Sequence, residues 1–148
     1  MTRHLLGCAT TLVFVFNMAA ATAQKSDRDR LAGAWKLVAL EQPGADGKVN
    51  TMDCCGMFVF TRDGHLSVQV MGQAGSASDQ YSRGGYEASW GTYVVNERNH
   101  TFTFHVEGAL ARDLVGKELP RRYTFDGDRL IVQSTRSEEH WRVVWVRY

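Results

Sequence analysis

The sequence has almost no excess of charge of either sign. Its 17 basic and 16 acidic side chains give a formal net charge of +1. Nucleic acids and anionic membrane surfaces attract proteins with a basic face, so this balance gives no electrostatic reason to expect either as a partner. The Gly-x-Ser-x-Gly nucleophile elbow, the phosphate loop and the dinucleotide-binding fingerprint are also missing, and we expect no cofactor.

Cysteine is scarce as well. The 148 residues include 3 cysteines, of which Cys54 and Cys55 are adjacent in the connection after the first predicted strand. Adjacent cysteines pair only in a strained ring, so these two form a vicinal disulfide, bridge two chains or stay free. Neither the cysteines nor the histidines have the paired spacing of zinc ligands, and the sequence predicts no metal site.

Extended apolar runs are few, and the clearest lies near the N-terminus. Residues 1–23 contain an apolar run from Leu12 to Phe16 and end in Ala21-Thr22-Ala23, the small-x-small pattern of a secretory signal peptide. The run is shorter than the roughly 20 residues of a transmembrane helix. Lipidation of Cys8 is an alternative, although this cysteine precedes the run. We predict cleavage after Ala23, a secreted or periplasmic location and one domain over residues 24–148.

After the predicted signal peptide, apolar and polar side chains alternate over short segments, which is the period of β-strands. Ser26 to Ala32 is typical of a single helical turn, and no segment has a helical period long enough for a βαβ unit. The region from Gly72 to Gly85 lacks any apolar period and is predicted to be a loop. About eight strands are predicted, over residues 35–40, 57–61, 65–71, 90–95, 101–107, 121–125, 129–134 and 140–148.

A single antiparallel sheet of this many strands would leave two unpaired edges and an uncovered apolar face. Pairing the first strand with the last removes both problems. The predicted fold class is therefore all-β, an antiparallel up-and-down β-barrel of about eight strands. A two-sheet sandwich is the alternative, because strand number alone does not distinguish the two. A barrel of this size has room for a small ligand.

Seven short motifs follow one another along almost the whole predicted domain. They are Gly33-Ala34-Trp35-Lys36-Leu37-Val38, Ser67-Val68-Gln69, Gly91-Thr92-Tyr93, His105-Val106-Glu107-Gly108, Val115-Gly116-Lys117-Glu118, Arg121-Arg122-Tyr123 and Asp126-Gly127-Asp128-Arg129-Leu130. In this order they resemble the lipocalin-like domain family of bacteria and fungi. The resemblance implies a lipocalin-like, calycin-like barrel with an internal pocket, in which Trp35 plugs the closed end and Arg142 or Arg147 stacks on it.

Six residues are candidates for ligand binding in such a pocket. They are Tyr93, Phe104, His105, Glu107, Arg122 and Trp145. His105 and Glu107 share one face of a strand and would form an acid–base pair if that face lined the pocket, although Phe102, Phe104 and Val106 are the natural inward set. Consecutive Arg121 and Arg122 point to opposite faces. Only one of them can therefore enter the pocket, where Glu107 or a ligand carboxylate would be its partner.

The leading functional hypothesis is a binding protein for a small hydrophobic or amphipathic molecule, with no stable membrane insertion. One alternative is a pocket enzyme of cyclase, isomerase or hydratase type, in which His105 and Glu107 work with Arg122 or Tyr93. A small outer-membrane β-barrel is a second alternative, although its strands need roughly 9–11 residues and several predicted strands are shorter. A purely structural module of the cell envelope is the remaining possibility.

Overall fold

The computed structural model describes residues 25–43, 46–76 and 78–148, so the predicted signal peptide lies outside the described residues. Within them no helix is long and apolar enough to cross a membrane. The regular elements are helix α1 (Asp27–Leu31), strands β1 (Gly33–Pro43), β2 (Val49–Met52), β3 (Cys55–Phe60), β4 (His65–Met71), β5 (Tyr86–Asn96), β6 (Thr101–Ala109), β7 (Glu118–Asp126), β8 (Arg129–Ser134) and β9 (Arg142–Arg147), and two short 3-10 helices (Glu97–Asn99, Arg112–Leu114).

All strand pairs are antiparallel, and β1 pairs with β9 to close a barrel of 8 strands. This confirms the predicted all-β barrel and replaces the sandwich alternative. Strand β2 is additional and was not predicted. Its four residues are all exposed and lie beside Leu40–Pro43 at the end of β1. A strand with no buried face has no apolar alternation from which it could be recognised.

One edge of β1 is shared by two strands. Gly33–Lys36 pair with β3, whereas Leu40–Pro43 pair with β2. Asp53 and Cys54 separate the two partner strands. On its other edge β1 pairs with β9, and the register shifts at Val38, the signature of a β-bulge. The shift bends β1 and lets one long strand serve both ends of the barrel.

Helix α1 closes one end of the barrel. Ser26 caps the helix by accepting a hydrogen bond from the backbone N–H of Asp29 at 3.1 Å, as its sequence predicts. Leu31 is fully buried, and its carbonyl accepts the indole N–H of Trp35 at 2.7 Å. The guanidinium of Arg147 lies 3.9 Å from the centre of the Trp35 ring. Of the two arginines expected to stack on Trp35, it is Arg147 that does so.

Aromatic side chains fill the half of the barrel next to this closed end. Phe60 packs edge-to-face against Phe102 at 5.3 Å and against Tyr93 at 5.1 Å, and Phe102 packs against Tyr123 at 6.4 Å. Each buried aromatic ring stabilises the fold by roughly 2–3 kcal/mol relative to exposure to water. This half is a packed core, so the available interior space lies at the other end.

Candidate ligand-binding cavity

A cavity of about 470 Å³ occupies the half of the barrel away from α1. This volume lies within the range of roughly 300–1,000 Å³ that is usual for small-molecule sites. Its inner wall is mainly apolar and includes Phe58, Val68, Phe102, Phe104, Val132 and Trp145. The β-strand alternation that buries these side chains in the core also makes them the wall of the cavity.

Two chain connections meet across the mouth of this cavity. Tyr81, in the connection between β4 and β5, donates a hydrogen bond from Oη to Oε2 of Glu139 at 2.7 Å. Trp141 donates to the same oxygen from Nε1 at 3.0 Å. Burial tends to raise the pKa of Glu139, but hydrogen bonds from Tyr81, Ser134 and Trp141 and the charge of Arg121 hold it below its ordinary value. Glu139 therefore fastens the two connections to each other as a carboxylate.

Arg121 on β7 is a buried cation inside the cavity. The residue is only 7% exposed and lines the cavity. Its guanidinium lies 4.9 Å from the centre of the Trp141 ring and 5.3 Å from the centre of the Tyr81 ring. Its Nη1 donates a hydrogen bond to the carbonyl of the preceding residue, Pro120, at 3.1 Å. Among the residues that the structure describes, no carboxylate oxygen lies within 4.0 Å of its nitrogens.

Glu87 on β5 is a carboxyl group in the same cavity wall. Burial raises the pKa of Glu87 to about 7, with the charge of Arg121 lowering it and that of Asp79 raising it. Burial also raises the pKa of Tyr81 to about 12, so its hydroxyl keeps its proton at neutral pH. Near pH 7 the inner strands of the cavity therefore carry the permanent positive charge of Arg121 and the partly protonated carboxyl group of Glu87, and Asp53 and Asp79 line the cavity from the connections.

Phe104 and Trp145 are the two candidate residues that the structure places in the cavity wall. Phe104 is 4% exposed and Trp145 is 2% exposed. The indole Nε1 of Trp145 is buried and has no hydrogen-bond partner among the described residues. Both residues belong to inward sets that the alternation of their strands predicts.

His105 and Glu107 lie on the outer side of the barrel, away from the cavity. Phe102, Phe104 and Val106 take the inward positions of β6, which leaves the alternate positions outside. His105 contacts Glu118 on the adjacent strand, with 2.8 Å between Nδ1 and Oε1. Glu107 is exposed and has no partner on β5, because the register shifts by one residue there. The structure therefore does not bring them together as an acid–base pair in the cavity.

Tyr93 and Arg122 also lie away from the cavity. Tyr93 is buried at the closed end, where its hydroxyl donates to the carbonyl of Thr61 at 2.8 Å. Arg122 is exposed, and its neighbour Arg121 enters the cavity in its place. The physical reason is alternation, since Arg121 shares its face with the core residue Tyr123. That pattern is present in the sequence and identifies the inward arginine.

The sequence analysis did not single out Glu87 and Tyr81, which line the cavity, or Glu139, which binds Tyr81 at its mouth. Alternation along β5 offers a signal for Glu87, because it has the same parity as buried Ser89 and Tyr93. Tyr81 and Glu139 lie in connections that have no periodic pattern. Their meeting depends on the path of two loops, which local sequence does not encode.

The two cysteines lie at the break between β2 and β3. The structure holds both as free thiols, with Cys54 half-buried in the cavity wall and Cys55 exposed. Burial and the neighbouring Cys55 and Asp53 raise the pKa of the Cys54 thiol, which favours its unreactive protonated form. Over residues 25–43, 46–76 and 78–148 no three His, Cys, Asp or Glu side chains are grouped to hold a metal ion.

Comparison with known proteins gives a family match over most of the chain. The model of a family described as a lipocalin-like domain matches residues 32–147. No curated protein matches the chain. Seven chains of solved structures match, among them one described as the crystal structure of a mutant of the fluorescent protein UnaG. That match has 11% sequence identity and a TM-score of 0.42, and it covers 81% of this chain and 97% of the other.

Proposed function

The chain belongs to the lipocalin-like domain family, and we propose that it is a secreted or periplasmic protein that binds a small hydrophobic or amphipathic molecule in its barrel. The observation that carries the proposal is the apolar cavity of about 470 Å³ opposite the packed end. Binding sites for small molecules are typically concave and mostly apolar, with a few placed polar groups. The cavity has this character, with Arg121 and Glu87 as its charged or titratable side chains on the inner strands.

The size of the apolar wall makes useful affinity attainable. A ligand that transfers about 300 Å² of apolar surface from water gains about 7.5 kcal/mol. The loss of translational and rotational freedom offsets part of this gain. The net binding free energy is therefore favourable enough for binding only when an apolar ligand of this size also fills the cavity well.

The placement of the other candidate residues gives less support to the alternatives. The acid–base pair of the cyclase, isomerase or hydratase hypothesis, His105 and Glu107, lies outside the cavity. A membrane-spanning barrel places apolar residues towards lipid and polar residues inside. In this barrel the large aromatic residues, such as Phe60 and Trp145, are buried inside. Secretion is supported by the pattern of residues 1–23, and the N-terminal sequence of the protein exported by its own host would test it.

A fluorescence titration with N-phenyl-1-naphthylamine tests the binding proposal. This neutral apolar probe becomes bright when it leaves water, and we expect saturable binding to one site per chain. Val70→Trp adds bulk to the cavity wall and should weaken binding at least tenfold. Val94→Trp is the matched control, because Val94 is 74% exposed on the outside of β5, and it should leave binding unchanged. Failure of the wild-type protein to bind the probe would count against the proposal.

Native mass spectrometry of the protein purified gently from its own host adds a test that needs no probe. We expect a co-purifying small molecule that is released under denaturing conditions. The same spectrum reports the state of Cys54 and Cys55, because a vicinal disulfide lowers the mass by two hydrogens. A repeatedly empty protein would favour the structural role in the cell envelope.

A further inference from the structure

Arg121 is the strongest unexplained feature of the cavity. The residue is only 7% exposed, so its guanidinium has lost most of its hydration, and such a charge is costly unless a partner replaces the water. The Trp141 and Tyr81 rings at 4.9 and 5.3 Å give it aromatic contacts. One carbonyl, that of Pro120 at 3.1 Å, accepts a hydrogen bond from a group with five N–H donors. No other acceptor of the described residues meets hydrogen-bond geometry with Arg121, so its remaining donors can reach an acceptor inside the cavity.

The acidic groups around Arg121 are already engaged elsewhere. Glu139 accepts hydrogen bonds from Tyr81 and Trp141 and from Arg136 at 3.2 Å. Asp79 accepts the backbone N–H groups of Tyr81 and Ser82, each at 2.7 Å. The carboxyl group of Glu87 resists ionisation because it is buried, and it forms no ion pair with Arg121 within 4.0 Å. Among the described residues, Arg121 is thus a cation in the cavity wall without a direct anionic partner.

We propose that the ligand is an amphipathic organic anion whose carboxylate or similar head group binds Arg121 just inside the mouth. This inference rests on the proposed function and names the class of ligand. The planar guanidinium matches a carboxylate through two parallel hydrogen bonds, and the flanking rings of Tyr81 and Trp141 hold it in place. The apolar body of the ligand lies deeper, against Phe104 and Trp145. Charge and tail are thereby recognised at different depths of one cavity.

A pair of probes with one ring system separates the two proposals. N-phenyl-1-naphthylamine is neutral, whereas 8-anilinonaphthalene-1-sulfonate carries the same rings with a permanent negative charge. Arg121→Gln should weaken binding of the sulfonate roughly ten- to hundredfold, the range for one charged hydrogen-bonding partner. It should weaken binding of the neutral probe at least fivefold less than binding of the sulfonate, because the neutral probe loses only the packing of Arg121 in the cavity wall and no charge pair. Arg122→Gln, the matched control on the outer face, should alter neither.

The outcomes distinguish which proposal has failed. If the neutral probe does not bind the wild-type protein, the binding function itself is wrong. If the neutral probe binds and Arg121→Gln weakens both probes equally or neither, only the anion assignment is overturned.

A displacement series on the wild-type protein guards against misfolding of the Arg121 variant. Decanoate and decylamine share one chain length and carry opposite charges at neutral pH. Decanoate should displace N-phenyl-1-naphthylamine at a concentration at least tenfold below that of decylamine. Equal potency of the two amphiphiles would contradict the anion assignment without any substitution in the protein.

Discussion

The guanidinium of Arg121 lies 4.9 Å from the centre of the Trp141 ring, where the cavity opens to the outside. The contact joins β7 to the connection before β9, and Tyr81 brings the β4–β5 connection to the same place. Cation–π contacts of this kind stabilise by roughly 0.5–2 kcal/mol and fix the orientation of the cation. The charge inside the cavity and the closure of its mouth therefore depend on the same group of side chains.

Glu87→Gln should stabilise the protein above neutral pH. The pKa of Glu87 rises from 4.5 to about 7 on folding, so the folded state holds its proton more tightly than the unfolded state. Wild-type stability is therefore lost as the pH increases from about 4.5 through about 7. The loss amounts to up to about 3 kcal/mol. Glutamine is neutral at every pH, so the Glu87→Gln variant does not undergo this loss of stability.

Urea unfolding at pH 4.5, 6 and 8 measures this effect. The stability difference between Glu87→Gln and wild type should grow with pH over this range. Glu107→Gln, at an exposed position on β6, is the control and should show no such trend. A difference that is the same at pH 4.5 and 8 would show that Glu87 does not titrate with the raised pKa.

The same carboxyl group should make binding of the anionic probe depend on pH. The sulfonate of 8-anilinonaphthalene-1-sulfonate keeps its charge at every pH in question, so any change reports the protein. Above pH 7 ionised Glu87 repels the bound anion, by about 1.7 kcal/mol for charges about 10 Å apart at an effective dielectric constant of about 20. Affinity should fall roughly tenfold between pH 6 and 8, whereas Glu87→Gln should keep it nearly constant.

Tyr81→Phe should loosen the mouth of the cavity. The substitution removes the hydroxyl that donates to Glu139 at 2.7 Å and leaves the ring beside Trp141 in place. We expect a stability loss of about 1–2 kcal/mol and faster release of N-phenyl-1-naphthylamine in stopped-flow displacement. Tyr86→Phe is the control, because the Tyr86 hydroxyl makes no side-chain hydrogen bond among the described residues. Equal release rates in the two variants would mean that this hydrogen bond does not restrain the mouth.

Gly33→Ala should damage the closed end without touching the cavity. Gly33 has a φ angle of 130°, and a Cβ there would collide with Nη1 of Arg147, which stacks on Trp35. The expected stability loss is about 2–4 kcal/mol. Gly127→Ala is a suitable comparison, because φ is 59° there and, apart from its chain neighbours, no described residue has an atom within 4 Å of the added carbon. Its loss should be about 1–2 kcal/mol, and probe affinity should be unchanged in both proteins.

The sequence pattern accounts for the barrel because each buried strand repeats inward residues with period two. Leu66 and Val68 on β4 and Tyr123 on β7 are examples, and their burial makes closure of the sheet energetically necessary. Strand β2 was not predicted because the side chains of all its residues, Val49–Met52, are exposed. A pattern of burial cannot reveal an element that buries nothing.

The cavity residues were harder to predict than the strands. Alternation distinguishes Arg121 from Arg122, since Tyr123 fixes the phase of β7. It does not say which inward side chain borders open space: Tyr93 and Phe104 pair directly across β5 and β6, yet only Phe104 lines the cavity. The contact between Tyr81 and Glu139 joins residues 58 positions apart through two irregular connections, and only the three-dimensional path of the chain brings them together.

The tryptophan indole N–H signals in a two-dimensional ¹⁵N–¹H correlation spectrum provide the most direct test of the central claim. The chain has 4 tryptophans. Trp141 and Trp145 line the cavity, Trp35 plugs the opposite end, and Trp90 is 56% exposed outside. Titration with N-phenyl-1-naphthylamine should shift the Trp141 and Trp145 signals and leave those of Trp35 and Trp90 unchanged. A shift confined to Trp90, or no shift at saturating probe, would contradict ligand binding inside the barrel.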